Sequence, residues 1–215
     1  MMVPELHQNG PVLRAGESLD HAQAAMILLH GRGATAEDIL SLREEWNVPG
    51  FAYLAPQAAN FTWYPNRFIA PIESNEPYLT SALRVVADLL KLTADAGLPA
   101  HKVILLGFSQ GACLALEYAA RNSRRYGGVV GLSGGLIGPE GMRNDYPGTL
   151  DGTPVFLGCS DEDFHIPKSR VLESAAVFRQ MGASVTDRLY PNMGHGINKD
   201  EIAQVASMMT ALTSQ

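Results

Sequence analysis

The chain has 215 residues, 46% of them apolar and 18% charged, which is enough apolar material to bury a real core and excludes a disordered tail-like protein. Sixteen basic residues against 22 acidic ones leave a net charge of −6, and no basic run exceeds the pair Arg124 and Arg125, so no nucleic acid is expected as a partner. The longest wholly apolar run, the six residues Ala24 to Leu29, falls far short of the roughly 18 to 20 that span a bilayer, so no membrane insertion is expected either.

In chain order, residues 1–20 read as an irregular or edge-strand segment whose start, Met1-Met2-Val3-Pro4-Glu5, lacks the basic and apolar stretches of a secretion signal. With Cys113 and Cys159 as the only cysteines, no disulfide framework can be built, and a cytoplasmic protein with two free thiols is the expectation. A strand follows at Ala24–Leu29, a helix from near Ala36, and a strand at Phe51–Leu54. The helix Tyr78 to Ala96 carries Leu79, Leu83, Val86 and Leu90 on one stripe and stops at Gly97, with Pro99 beyond. Next come a strand at Val103–Leu106, a helix from Gln110, a short strand at Val129-Val130 and a loop from Gly134 to Thr153 rich in Gly and Pro. Loops of that length usually carry function. The chain closes with a strand at Pro154–Leu157, a helix from Lys168, a strand at Val185–Tyr190 and a helix from Lys199. That last helix opens with Asn198 and Glu201 in capping-box spacing and turns Ile202, Val205, Met209 and Leu212 inward. Apolar strands alternating with helices predict one α/β domain over residues 1–215, with a mostly parallel central sheet covered by helices on both faces.

Two stretches fit G-x-S-x-G, Gly107-Phe108-Ser109-Gln110-Gly111 and Gly131-Leu132-Ser133-Gly134-Gly135. A nucleophile elbow needs a strand running into a tight turn and then a helix, whose free N–H groups face the developing oxyanion. Ser109 has both neighbours, whereas Ser133 is followed by Leu136-Ile137-Gly138-Pro139, which starts no helix. A base and an orienting acid should follow in the order serine, acid, histidine. Asp161 and Asp163 lie past one strand end, and His195 lies past the last strand in Asn192-Met193-Gly194-His195-Gly196. Residue order alone leaves the two aspartates equal.

His30-Gly31-Arg32-Gly33 ends the first long strand and could bring backbone N–H groups to a ligand. Gly31 to Ala36 also fits the dinucleotide fingerprint, but the next strand ends in Ala55-Pro56-Gln57 without the required acid, so the loop reads as half of an oxyanion hole. Asp161-Glu162-Asp163-Phe164-His165 lacks the glycine and terminal Glu of a calcium loop, and no metal is expected. Phe61, Trp63, Tyr64 and Phe68 are either core or pocket lining.

Taken together, Leu29-His30-Gly31-Arg32-Gly33, Ala55-Pro56, Trp63-Tyr64-Pro65, Gly97-Leu98-Pro99, the Ser109 elbow, Asp161 to Pro167 and Met193-Gly194-His195 resemble the phospholipase/carboxylesterase family of small α/β-hydrolases. That group includes acyl-protein thioesterases and bacterial carboxylesterases. The resemblance implies an α/β-hydrolase fold without a large lid domain and a serine esterase that needs no cofactor. It implies Ser109 as nucleophile, His195 as base and Asp163 as acid, and the backbone N–H groups of Arg32 and Gln110 as oxyanion hole. Independently of the resemblance, Trp63, Tyr64, Arg67 and Phe164 are expected near the substrate. The implied substrate is a small-molecule carboxylic ester or thioester of small or medium acyl length, and the exposed sheet edges of such hydrolases leave a homodimer open. The thioesterase branch has an apolar residue where this chain has Arg32, so the Arg32 side chain is either a plainly solvated arginine or free to grip an anionic substrate group, with Arg67 nearby. The rival reading is a non-catalytic ligand-binding protein on the same scaffold.

Overall fold

Short apolar runs can be buried on both faces only if helices cover both sides of the sheet they build, and the computed structural model shows this arrangement. It describes residues 5–141 and 145–214. Residues 1–4 of the N-terminal segment and residues 142–144 of the 134–153 loop therefore lie outside the described residues.

The strands are β1 (Val12–Gly16), β2 (Ala24–Leu29), β3 (Phe51–Pro56), β4 (Val103–Phe108), β5 (Gly128–Leu132), β6 (Pro154–Ser160) and β7 (Ser184–Tyr190). They form one sheet in the order β1-β3-β2-β4-β5-β6-β7, parallel throughout except that β1 runs antiparallel along β3. The helices are α1 (Ala36–Ser41), α2 (Tyr78–Asp95), α3 (Gln110–Arg121), α4 (Lys168–Gln180) and α5 (Lys199–Thr213). Side chains alternate across a strand. Ala25, Ile27 and Leu29 of β2 therefore join the core under α2, α3 and α4. Ala24, Met26 and Leu28 join the opposite core under α1 and α5, where Val205, Met209 and Leu212 are buried. Each Leu or Ile withdrawn fully from water contributes about 1.5–3 kcal/mol. Among the described residues no helix is long and apolar enough to cross a membrane.

Within the segment read as irregular or edge strand, β1 is a regular edge strand that pairs with β3 from Val12↔Pro56 to Gly16↔Ala52, and it is only partly buried, so its sequence carries little apolar signal. Helix α1 starts at Ala36 as expected, runs for six residues and passes into a 3₁₀ turn at Leu42–Glu45. The described parts of the 134–153 loop are folded down: Leu136, Ile137 and Leu150 are buried, and buried Glu117 accepts from the Ile137 N–H and the Tyr146 hydroxyl, both at 2.9 Å.

The order of strands changes direction at β2, which has β3 on one side and β4 on the other. Open α/β sheets hold ligands in the crevice at such a reversal, beyond the carboxyl ends of the strands. The crevice is narrow because α3 sits almost on the backbone of β2. A Cβ added at Gly111 would lie 2.0 Å from the Leu29 carbonyl oxygen, and one added at Gly107 would lie 2.1 Å from the Gly111 oxygen. The two outer glycines of G-F-S-Q-G are therefore fixed by close backbone approach. Gly111→Ala should cost about 3 kcal/mol, the upper end of ordinary overpacking, and lower the Tm by about 6 to 12 °C. Gly196→Ala, where no described residue lies within 4 Å of the added Cβ, should melt near wild type. Equal melting temperatures for the two variants would refute this account.

Candidate active site

Strand β4 ends at Phe108, and the chain turns through Ser109 at φ 53° and ψ −116° before α3 begins. A left-handed conformation in a non-glycine residue stores about 1–3 kcal/mol and persists only where neighbours enforce it. Here the Ser109 N–H donates to Leu132 O at 2.9 Å, and its carbonyl accepts from the Cys113 N–H at 3.0 Å. The strained turn lifts the hydroxyl above the sheet, where Oγ lies 2.9 Å from His195 Nε2. On the other side of the ring, Nδ1 lies 2.7 Å from Asp163 Oδ2. With the carboxylate able only to accept, Nδ1 carries the proton and Nε2 is left to accept from the serine.

The Asp163 side chain is fully buried. Burial alone would raise its pKa, but the hydrogen bond from His195 and those from the His165 and Ile166 N–H groups, at 2.8 and 3.1 Å, outweigh it and hold the carboxyl below its ordinary value. Asp161, two residues away, faces elsewhere and accepts from the Asn192 N–H at 3.0 Å. The loop carrying His195 is also held by Ser160 Oγ, which accepts from the Gly194 N–H at 3.1 Å, and by Ser133 Oγ, which approaches Gly196 O at 3.4 Å. Ser133 is buried and has φ 51°, so backbone strain does not distinguish it from Ser109. What distinguishes Ser109 is the helix that follows it and the imidazole that meets it.

Gly31 lies against the serine: a Cβ added there would sit 3.5 Å from Ser109 Cβ. His30 is buried, its pKa is lowered mainly by that burial, and its neutral ring orients the turn. Nε2 accepts the Ala58 N–H at 3.1 Å, so Nδ1 donates to Gly31 O at 2.7 Å. The carbonyl and N–H of one planar peptide unit point opposite ways, so this grip also sets the direction of the Arg32 N–H. At the start of α3 the Gln110 N–H has no intrahelical partner. Its side chain is engaged elsewhere: Oε1 accepts from the Trp63 N–H at 2.9 Å, and Nε2 donates to Tyr64 O at 2.8 Å. Sequence reasoning missed His30 as an orienting residue. Gln57, which occupies the place of the dinucleotide acid, meets this ring, its Nε2 lying 3.2 Å from His30 Nε2, while its Oε1 accepts the Ala36 N–H at 2.8 Å at the start of α1.

The crevice widens into a cleft of about 480 Å³ lined by Ser109, His195, Arg32, Tyr64, Arg67 and Phe68, among others. Two expected substrate contacts are corrected here. Trp63 is wholly buried, donates from Nε1 to His30 O at 2.9 Å and lies in the core rather than on the cleft. Phe164 is 92% exposed and does not line the cleft, because the hydrogen bonds that close the loop around Asp163 turn residue 164 outward. Of the remaining aromatics, Tyr64 and Phe68 line the cleft and Phe61 is exposed. The Arg32 guanidinium is not free either. It donates to Tyr64 O and Pro65 O at 2.9 Å and to Asn66 O at 2.7 Å, so its fork holds backbone carbonyls. Cys113 lies at the cleft, but burial pushes its thiol up to about 12, which removes it as a thiolate nucleophile near neutral pH. Among the described residues no group of three or more His, Cys, Asp or Glu is placed to hold a metal ion.

Comparison with known proteins brings the same grouping from outside. A family model described as phospholipase/carboxylesterase matches residues 14–213. An acyl-protein thioesterase 1 from Saccharomyces cerevisiae is 30% identical, the match covering 92% of this chain and 96% of that one. The crystal structure of a phospholipase/carboxylesterase from Dyadobacter fermentans superposes with a TM-score of 0.91 at 41% identity, over 97% of this chain and 100% of that chain. A Bacillus cereus carboxylesterase shares the fold, with a TM-score of 0.72 at 18% identity over 95% of each chain.

Behind the histidine loop lies a carboxyl group with an unusual environment. Glu201 is fully buried at the start of α5, where Oε2 accepts from the Asn198 N–H at 2.8 Å while Oε1 has no hydrogen-bond partner among the described residues. Gly158 makes room for it, since a Cβ there would meet Oε1 at 2.2 Å. Burial, countered by the Asn198 bond, pushes its pKa up to about 7 from an ordinary 4.5. A folded-state pKa above the unfolded one means that the native state holds the extra proton between these values, so this group lowers stability as pH rises from 4.5 towards 7. Glu201→Gln should therefore gain stability relative to wild type at about pH 8, by a few kcal/mol, with the gap narrowing towards about pH 5. Urea unfolding at the two pH values measures it. Parallel curves for the two proteins would contradict the assignment.

Proposed function

This chain belongs to the phospholipase/carboxylesterase family of α/β-hydrolases, and from that premise we propose that it hydrolyses small or medium acyl esters or thioesters through an acyl-enzyme on Ser109. The observation that carries the proposal is the unbroken relay from Asp163 through His195 to Ser109, at 2.7 and 2.9 Å. His195 Nε2 takes the hydroxyl proton as Ser109 Oγ attacks the acyl carbonyl, and Asp163 stabilises the resulting imidazolium in its productive orientation. The tetrahedral oxyanion is received by the N–H groups of Arg32 and Gln110, the first aimed by His30 and the second standing at the N-terminus of α3. Collapse expels the alcohol or thiol with the proton from His195. Water, activated by the same imidazole, then releases the acid and restores the serine.

The acyl group lies in the cleft between Tyr64, Phe68 and Ile166, whose apolar surfaces suit a short or medium chain. Relatives that bear the name acyl-protein thioesterase make a thioester a natural substrate alongside an oxygen ester, since both pass through the same acyl-enzyme. A ligand-binding protein without catalysis would not need a buried acid aligned with a histidine and a strained serine.

Ser109→Ala should lower kcat on p-nitrophenyl acetate by several orders of magnitude, as removal of a triad member does, whereas Ser133→Ala should stay within about tenfold of wild type. Comparable losses in two folded variants would refute the choice of Ser109. Asp163→Asn should keep the packing but present the wrong imidazole tautomer, costing about 10⁴ in kcat, with Asp161→Asn costing far less. A larger loss from Asp161 would reverse the roles of the two aspartates.

A further inference from the structure

We propose that the enzyme selects substrates bearing a negatively charged group, and that Arg67 is the residue that reads this charge. The inference rests on Ser109 being the reacting group of the cleft and names the class of substrate brought to it. Arg32 and Arg67 both line the cleft, and no Asp or Glu does among the described residues. That is a marked asymmetry in a chain whose net charge is −6. A cleft with low-dielectric walls and charge of one sign concentrates ligands of the other sign.

The two arginines divide the work. Arg32 spends three donors on the carbonyls of Tyr64, Pro65 and Asn66. The guanidinium of Arg67 makes no hydrogen bond or ion pair among the described residues. Its backbone is nevertheless held tightly. Buried Asn75 accepts the Asn66 N–H at 2.8 Å and donates to Arg67 O at 3.2 Å, and Gln110 grips Tyr64 O from the other side at 2.8 Å. A segment braced from Arg32, Asn75 and Gln110 thus presents one unpaired cation at the mouth of the cleft. A rigid mount lowers the ordering cost of binding, and a planar fork suits a carboxylate or phosphate in bidentate contact. The charged group can sit on the acyl part or on the leaving group, and both placements share this chemistry.

Two matched ester pairs test the proposal and locate the charge. Mono-4-nitrophenyl succinate against 4-nitrophenyl butyrate places it on the acyl side, and 4-acetoxybenzoate against 4-acetoxybenzamide places it on the leaving group. The readout is the anionic-to-neutral ratio of kcat/KM, measured for wild type, Arg67→Gln and Arg67→Lys. In at least one pair wild type should favour the anion, and Arg67→Gln should lower the ratio by about ten- to a hundredfold, the effect of a lost charge-assisted contact. Arg67→Lys should recover part of it, and added salt should shrink the wild-type ratio. A ratio unchanged by Arg67→Gln in both pairs overturns the proposal, as does a wild-type preference for both neutral esters. Ser109→Ala, run beside these on the neutral esters, separates the two readings. Turnover that depends on Ser109 with an unmoved ratio sinks the role of Arg67 alone, while turnover independent of Ser109 sinks both.

Discussion

Ser109 and His195 are 86 positions apart in the chain, yet Oγ and Nε2 meet at 2.9 Å, and much of the architecture exists to make that meeting hold. The serine leaves β4 and the histidine follows β7, three strands away in the sheet, a separation of about 14 Å at the usual strand spacing. The loop after β7 must therefore travel back across the ends of β6 and β5. It is pinned as it goes: Asp161 and Ser160 at the end of β6 hold Asn192 and Gly194, and Ser133 at the end of β5 approaches Gly196. Asn198 then caps α5 and returns the chain to the core. Asp163 enters from the loop after β6 and meets the ring midway.

The opposite wall is organised by buried polar groups with satisfied hydrogen bonds. His30, Gln110 and Asn75 are all buried, and each bonds backbone in a loop that has no ladder partner. Burying such groups unpaired would cost about 1–3 kcal/mol each, so their pairing fixes loop positions at little net cost. Arg32 does the same from the rim with three carbonyls. Preorganised donors matter most where charge develops during reaction, because no reorganisation is then required at that moment. Glu201, with one oxygen unpartnered among the described residues, is the exception to this pattern, and it lies behind the histidine loop rather than at the reacting atoms.

Much of this was legible before any coordinates. The doubly covered strands announced themselves as apolar runs, and α5 as a capping box with an inward stripe. Ser109 could be separated from Ser133 because a helix starts at Gln110, whereas no helix directly follows Gly134 among the described residues, although both serines have a positive φ. Asp161 and Asp163 could not be separated by position, since they share one turn and differ only in where their carboxylates point. Strand β1 was faint because an edge strand exposed on one side needs few apolar residues. The pocket residues were the least legible. Whether Trp63 lies beneath a cleft or in it, and whether Arg32 faces substrate or carbonyls, depends on side-chain partners supplied by residues about 30 positions away.

The acyl-enzyme itself provides the most direct test. Wild-type protein mixed with p-nitrophenyl acetate, quenched in acid during turnover and digested, can be mapped by tandem mass spectrometry. The account predicts a single acetyl group on Ser109, accumulating in step with a burst of nitrophenol and absent when Ser109 is replaced by alanine. An acetyl group on Cys113 or Ser133 instead, or turnover with a burst that survives the loss of Ser109, would contradict it.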